Sequence, residues 1–267
     1  VINKAGSITL AGVNVTFNNL TVKTDNTNYN GFQHNASETY SGCVIEKKLF
    51  LYGPARFENC TFKNDGDYSV WTYGSTNASF KNCSFGSYGK SVLIYSEDAN
   101  LRTVVTFDNC TFSGTALNDS KAAIEVDCSL ATNGLYTVNV NNCVATGYDA
   151  GLLSGNNLWN VKKGTNFVLN VDGENVQQGL TTNGMNDYFV NNADGLVSLA
   201  RLVNGYYKDG SIAHDRLSGK TVTLTADIDM AGVSFTPIGA GITHYPGQNF
   251  AGTFDGANHT ISNLTAS

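Results

Sequence analysis

Glu125 and Asp127 are the pair of acidic residues in this chain best spaced for acid–base chemistry. Side chains at i and i+2 of a β-strand point to one side, with Cβ atoms about 6–7 Å apart. That separation is within the range of the two carboxylates of an inverting glycosidase, one acting as acid and one as base. A solvated face or a contact to calcium is the competing reading. Asp65 and Asp67 flank a glycine, and Asp227 and Asp229 flank an isoleucine; each pair is a weak candidate for calcium, or else forms a turn. His34, His214, His244 and His259 lack metal-ligand spacing, and no glycine-rich phosphate loop is present. No other cofactor is implied. Trp71, Tyr73 and Tyr95 form the third constellation, predicted on one outward column. An exposed aromatic column offers π-faces to the apolar C–H faces of sugar rings. The alternative is structural, with the long segment 23–42 folding over the rings.

These residues need short parallel strands to align them. The expected strands are Cys43–Glu46, Val70–Tyr73, Val92–Tyr95, Ile124–Asp127 and Leu152–Ser154, with Leu49–Gly53 a competing register for the first. After them recurs a hexapeptide: Phe-Glu-Asn-Cys-Thr-Phe from 57, Phe-Lys-Asn-Cys-Ser-Phe from 80 and Phe-Asp-Asn-Cys-Thr-Phe from 107. Looser copies start at Phe17, Val140, Val168 and Ile261. The asparagines at 19, 59, 82, 109, 142 and 170 are separated by 40, 23, 27, 33 and 28 residues. A constant core with variable intervals signals a solenoid of short strands and unequal loops. The asparagine suits a left-handed bend. Stacked bends would place their amides about 4.8 Å apart, in an inward, hydrogen-bonded ladder. Cys60, Cys83, Cys110 and Cys143 share the next slot, which Leu20 and Leu264 also fill. The slot therefore asks for an apolar group, and the cysteines are expected as free buried thiols rather than disulfides. Cys43 and Cys128 are placed elsewhere in the core.

After residue 188 the pattern changes. Asp194–Asn204 has apolar residues at 196, 199, 202 and 203, predicting a helix with Asp194 as N-cap and Gly205 as stop. The expected fold class is all-β: a right-handed, single-stranded parallel β-helix over 1–188, then a capping helix near 194–204 that opens a second such module over 189–267. Charge is sparse: 14% of residues are charged and the net charge is −6, which disfavours nucleic acid and anionic membrane surfaces as partners. No apolar run reaches the roughly 18–20 residues of a membrane span. The chain opens Val-Ile-Asn-Lys and is expected to be a processed or trimmed segment of a longer protein.

The order Thr-Leu-Thr-Ala-Asp-Ile-Asp-Met, Pro-Ile-Gly, then Phe-Ala-Gly-Thr-Phe-Asp-Gly-Ala-Asn-His-Thr-Ile-Ser-Asn-Leu, over 190–266, resembles the β-helix repeat regions of adhesin-like bacterial surface proteins. The Asn-Cys-Thr-Phe turns resemble the pectate-lyase-like superfamily, a likeness that specifies fold more than function. The resemblance implies an extracellular or cell-surface bacterial module, with a polysaccharide or host glycan as partner. The Asn-Thr-Asp, Gly-His-Gly and Arg-Ile-Lys signatures of polygalacturonases are absent. The expectation is a non-catalytic, glycan-binding or adhesive module. A polysaccharide lyase or glycoside hydrolase is the first alternative and a structural spacer the second.

Overall fold

The computed structural model describes residues 2–4, 8–10, 14–24, 32–34, 37–46, 48–64, 68–87, 91–114, 122–148, 157–176, 179–183, 185–208, 211–240 and 249–266. The chain divides into two compact units, the larger ending at Val176.

In the larger unit, from Val44–Glu46 to Phe167–Val171, the chain visits three sheets in rotation, adding a parallel strand at each visit; before that, Ile8–Leu10 and Phe32–His34 pair in a small sheet of their own. The first sheet holds the strands that follow each bend, such as Thr61–Asn64, Ser84–Ser87 and Thr111–Gly114. The second holds Leu49–Phe50, Val70–Trp71, Val92–Tyr95, Ile124–Asp127 and Trp159–Lys163. The third holds the strands that lead into each bend, such as Ala55–Glu58, Asn77–Lys81 and Arg102–Asp108. These stacked parallel sheets make an all-β arrangement compatible with a β-helix.

The repeat works because equivalent residues superpose from turn to turn. Phe17, Tyr40, Phe57, Phe80 and Phe107 stack with ring centroids 4.9, 4.7, 4.9 and 4.9 Å apart. Phe62, Phe85 and Phe112 form a second file at 4.4 and 4.6 Å. Each stacked pair contributes about 0.5–1.5 kcal/mol beyond its area burial. Each motif thiol lies 3.4–3.7 Å from a carbonyl oxygen of the preceding turn, from Cys43 on Phe17 to Cys143 on Phe107. All six cysteines are free.

Four expectations for the coils are corrected. The asparagine bends do have positive φ, 50–54° at Asn19, Asn59, Asn82, Asn109 and Asn142, but their side chains are exposed, not inward. The ladder runs outside the barrel of strands: Asn82 donates to Asn59 (3.3 Å), Asn109 to Asn82 (2.8 Å) and Asn142 to Asn109 (3.1 Å). Second, Val44–Glu46 pairs with Thr61–Asn64 in the first sheet, and Leu49–Phe50 takes the second-sheet position. Gly42 supplies the bend there (φ 61°), so Cys43 belongs to the motif column, and the 40-residue interval is two turns of 23 and 17. A Cβ on Gly42 would lie 2.4 Å from Asn19 Oδ1, so the side chain of the turn below fills the space that glycine leaves. Third, Asn170 is not a bend residue but sits in a strand, donating to Asn139 (2.8 Å). The corner instead passes through Asp172 (φ 50°) and Gly173 (φ 85°), which fold Glu174–Val176 back antiparallel on Phe167–Val171. Two left-handed residues are the signature of a tight hairpin, and the returning strand covers the sheet edge. Fourth, Trp159–Lys163 fills the position assigned to Leu152–Ser154, which lies outside the described residues.

The second unit has a parallel run of Asp187–Val190, Thr221–Leu224 and Thr253–Asp255, with Leu180–Thr182 antiparallel at its edge. Its helix, Ala193–Asn204, is capped by Asn192, whose Oδ1 accepts from Gly195 N at 2.9 Å. Asp194, expected as the cap, lies in the first turn, where a carboxylate complements the helix dipole; Gly205 ends the helix as expected. Leu196, Leu199 and Val203 pack with Val222, Leu224 and Met230. Asn263 repeats the left-handed bend (φ 55°) and donates to Asp229 at 2.8 Å.

Candidate functional site

Alternation in the second sheet sends Leu49, Val70, Val92, Ile124 and Trp159 inward. The next residues, Phe50, Trp71, Leu93, Glu125 and Asn160, stand on the other face. Two positions further come Tyr95 and Asp127, and three beyond Asn160 comes Lys163, paired across the strands, with Tyr52 and Tyr73 extending the file. Phe50, Trp71, Leu93 and this second file line a groove of about 800 Å³ that also takes in Glu97, Ser129, Leu130 and Lys162, whereas Glu125 and Asn160 are buried outside it.

One half of the groove is aromatic. Phe50 stacks on Trp71 (5.2 Å, 18° between planes), and Trp71 meets Tyr95 edge-on at 6.2 Å. Tyr73 lies 5.4 Å from Tyr52 and 6.0 Å from Tyr95. Trp71, Tyr73 and Tyr95 are thus brought together, but as half-buried walls of a concave groove rather than an open stripe. Lys48 Nζ lies 5.9 Å from the Trp71 ring centroid.

The other half is polar. Glu97 faces the tyrosines; as hydrogen-bond acceptor it holds the Tyr73 phenol well above its ordinary range. Burial, then the same carboxylate, raises Tyr52 and Tyr95, with Asp127 adding to the effect at Tyr95. All three phenols therefore present O–H groups across the neutral range. Asp127 accepts from Ser129 N (3.2 Å) and Ser129 Oγ (2.6 Å), in a turn closed by its own side chain.

The structure does not bring Glu125 into the groove with Asp127. Glu125 is 0% exposed and accepts from Ala122 N at 2.7 Å, whereas Asp127 is 8% exposed and lines the groove. The acidic neighbour of Asp127 in the groove is instead Glu97. Sequence reasoning missed Glu97, Lys162, Lys163, Phe50 and Tyr52; only the last two carried a signal, through the competing strand at 49–53. Asp65 and Asp67 lie outside the described residues. Asp227 is exposed and accepts from Thr260 N (2.9 Å) and His259, a contact between neighbouring coils, while Asp229 accepts from Ala231 N (3.0 Å) and closes a local turn. Among the described residues no cluster of three or more His, Cys, Asp or Glu is placed to hold a metal ion, and no helix is long and apolar enough to cross a membrane. Comparison with protein families, with curated proteins and with solved structures finds no match to this chain.

Proposed function

We propose that this chain is a non-catalytic, glycan-binding module of an extracellular bacterial surface protein, built on a right-handed, single-stranded β-helix of the pectate-lyase-like kind. The observation that carries the reading is the groove, in which aromatic side chains from successive turns stand side by side above tyrosine hydroxyls and carboxylates. Ring faces take the C–H faces of sugars, and the polar groups meet their hydroxyls. Turns repeat every ~4.8 Å, so three or four of them span a short oligosaccharide. Stacking on half-open rings gives weak binding, on the order of 4–6 kcal/mol, with dissociation constants nearer millimolar than nanomolar.

The test is an oligosaccharide array followed by calorimetry with Trp71→Ala and Tyr73→Phe. Trp71→Ala should weaken binding at least about tenfold while costing about 1–2 kcal/mol of stability, since the half-buried ring also packs on Phe50. Tyr73→Phe keeps the ring and should keep most of the affinity. An array without a hit, or binding indifferent to Trp71, defeats the reading.

Glu97 and Asp127 lining one groove favour a second reading, a glycoside hydrolase or polysaccharide lyase. Release of product that vanishes in both Glu97→Gln and Asp127→Asn would replace the first reading with this one.

A further inference from the structure

The register of the second sheet breaks once. Ile124, Glu125 and Val126 face Trp159, Asn160 and Val161 in step, but Asp127 faces Lys163, leaving Lys162 as an extra residue. The other strand pairings of this sheet among the described residues run unbroken. Consecutive residues of a regular strand point to opposite faces, so in unbroken register one of two adjacent lysines would point into the core, where an unpaired ammonium is costly. The bulge removes that conflict and re-aims the side chain, as bulges beside functional sites do. Lys162 and Lys163 both line the groove, and both are half-buried.

Neither ammonium has an ion pair or a side-chain hydrogen bond among the described residues. Of the groove's two carboxylates, Asp127 accepts from Ser129, while the exposed Glu97 stands at the tyrosine end, where it raises the Tyr73 phenol. The two ammoniums are thus free cationic donors at the far end of an aromatic platform, on the strand next to Asp127. We propose that Lys162 and Lys163 form an anion subsite, and that the groove takes an oligosaccharide carrying a carboxylate or sulfate group. The sugar rings lie on Tyr95, Tyr73 and Trp71, and the anionic substituent rests between the two ammoniums. Three Lys N–H donors on each flexible stem suit a group of either shape, so the subsite selects charge rather than geometry. This inference rests on the glycan reading of the groove.

The test uses the intact chain on an array carrying each oligosaccharide backbone in neutral, carboxylated and sulfated forms, at about 0.15 M salt, where charges beyond about 8 Å are screened. Wild type is compared with a Lys162→Ala/Lys163→Ala double variant and with Lys63→Ala/Lys81→Ala, exposed lysines away from the groove. Circular dichroism checks that each variant is folded. The expected result is that charged forms bind roughly tenfold or more tightly than their neutral partners. That preference falls to the neutral level in the groove variant and persists in the control. Preference for only one charged form identifies the anion. Equal binding of neutral and charged forms overturns the anion subsite and leaves the glycan reading standing, as does a preference that survives in the groove variant or falls equally in the control. Binding to no member overturns both.

Discussion

At the scale of single residues, the bends decide the fold. Asn109 combines a left-handed backbone (φ 54°) with two ladder bonds, to Asn82 and from Asn142. Alanine keeps the chain length but loses both bonds and tolerates that conformation poorly. Asn109→Ala should therefore cost about 1–3 kcal/mol in urea unfolding, whereas Asn77→Ala, at an exposed strand position, should cost less than about 0.5 kcal/mol. Equal losses would remove the bends from the account. The asparagines were legible because few residue types accept positive φ. Gly42 does the same work without a side chain to mark it, and so one turn of the stack was invisible. That the ladder faces solvent was not legible, because the spacing of a repeat gives the corner but not the side on which its side chain lies.

At the scale of elements, the hairpin through Asp172 and Gly173 ends the third sheet. A Cβ on Gly173 would meet nothing within 4 Å, so the cost of Gly173→Ala is backbone strain alone, about 1–2 kcal/mol for a residue at φ 85°. The effect should be local: amide exchange should quicken in Phe167–Val176 and stay unchanged in Ala55–Phe62. Uniform acceleration would mean that the hairpin is part of the global unit rather than a cover for its edge. The strands Val92–Tyr95 and Ile124–Asp127 were legible from alternation, and with them the aromatic file. The bulge was not, since an extra residue has no signature in apolar periodicity, and it is the bulge that turns Lys163 to the groove face with Lys162. Glu125 was read as open to solvent because a period of two gives the face of a strand but not what covers that face.

At the scale of the whole molecule, the columns unite distant sequence within the larger unit into one core. Cys43, Cys60, Cys83 and Cys110 are at most 2% exposed, and Cys143 is half-buried. Burial pushes the thiol of Cys128, outside the column, up to about 12. Without reductant, a thiol reagent should find all six free after denaturation, and at most Cys143 reacting quickly in the native protein. Recovery of most of them as disulfides would contradict the stack of thiols. The exposed amide row has a further consequence. Each asparagine from 142 to 82 donates toward the N-terminal side, so every amide leans the same way. The row ends at Gly42, which offers Asn59 no side-chain acceptor. Aligned hydrogen-bonded amides polarise one another, and reversing one would break its bonds on both sides. The row therefore carries a sense of direction along the stack, each amide's orientation matched to that of its neighbours. A run of near-identical repeats thereby acquires a head and a tail.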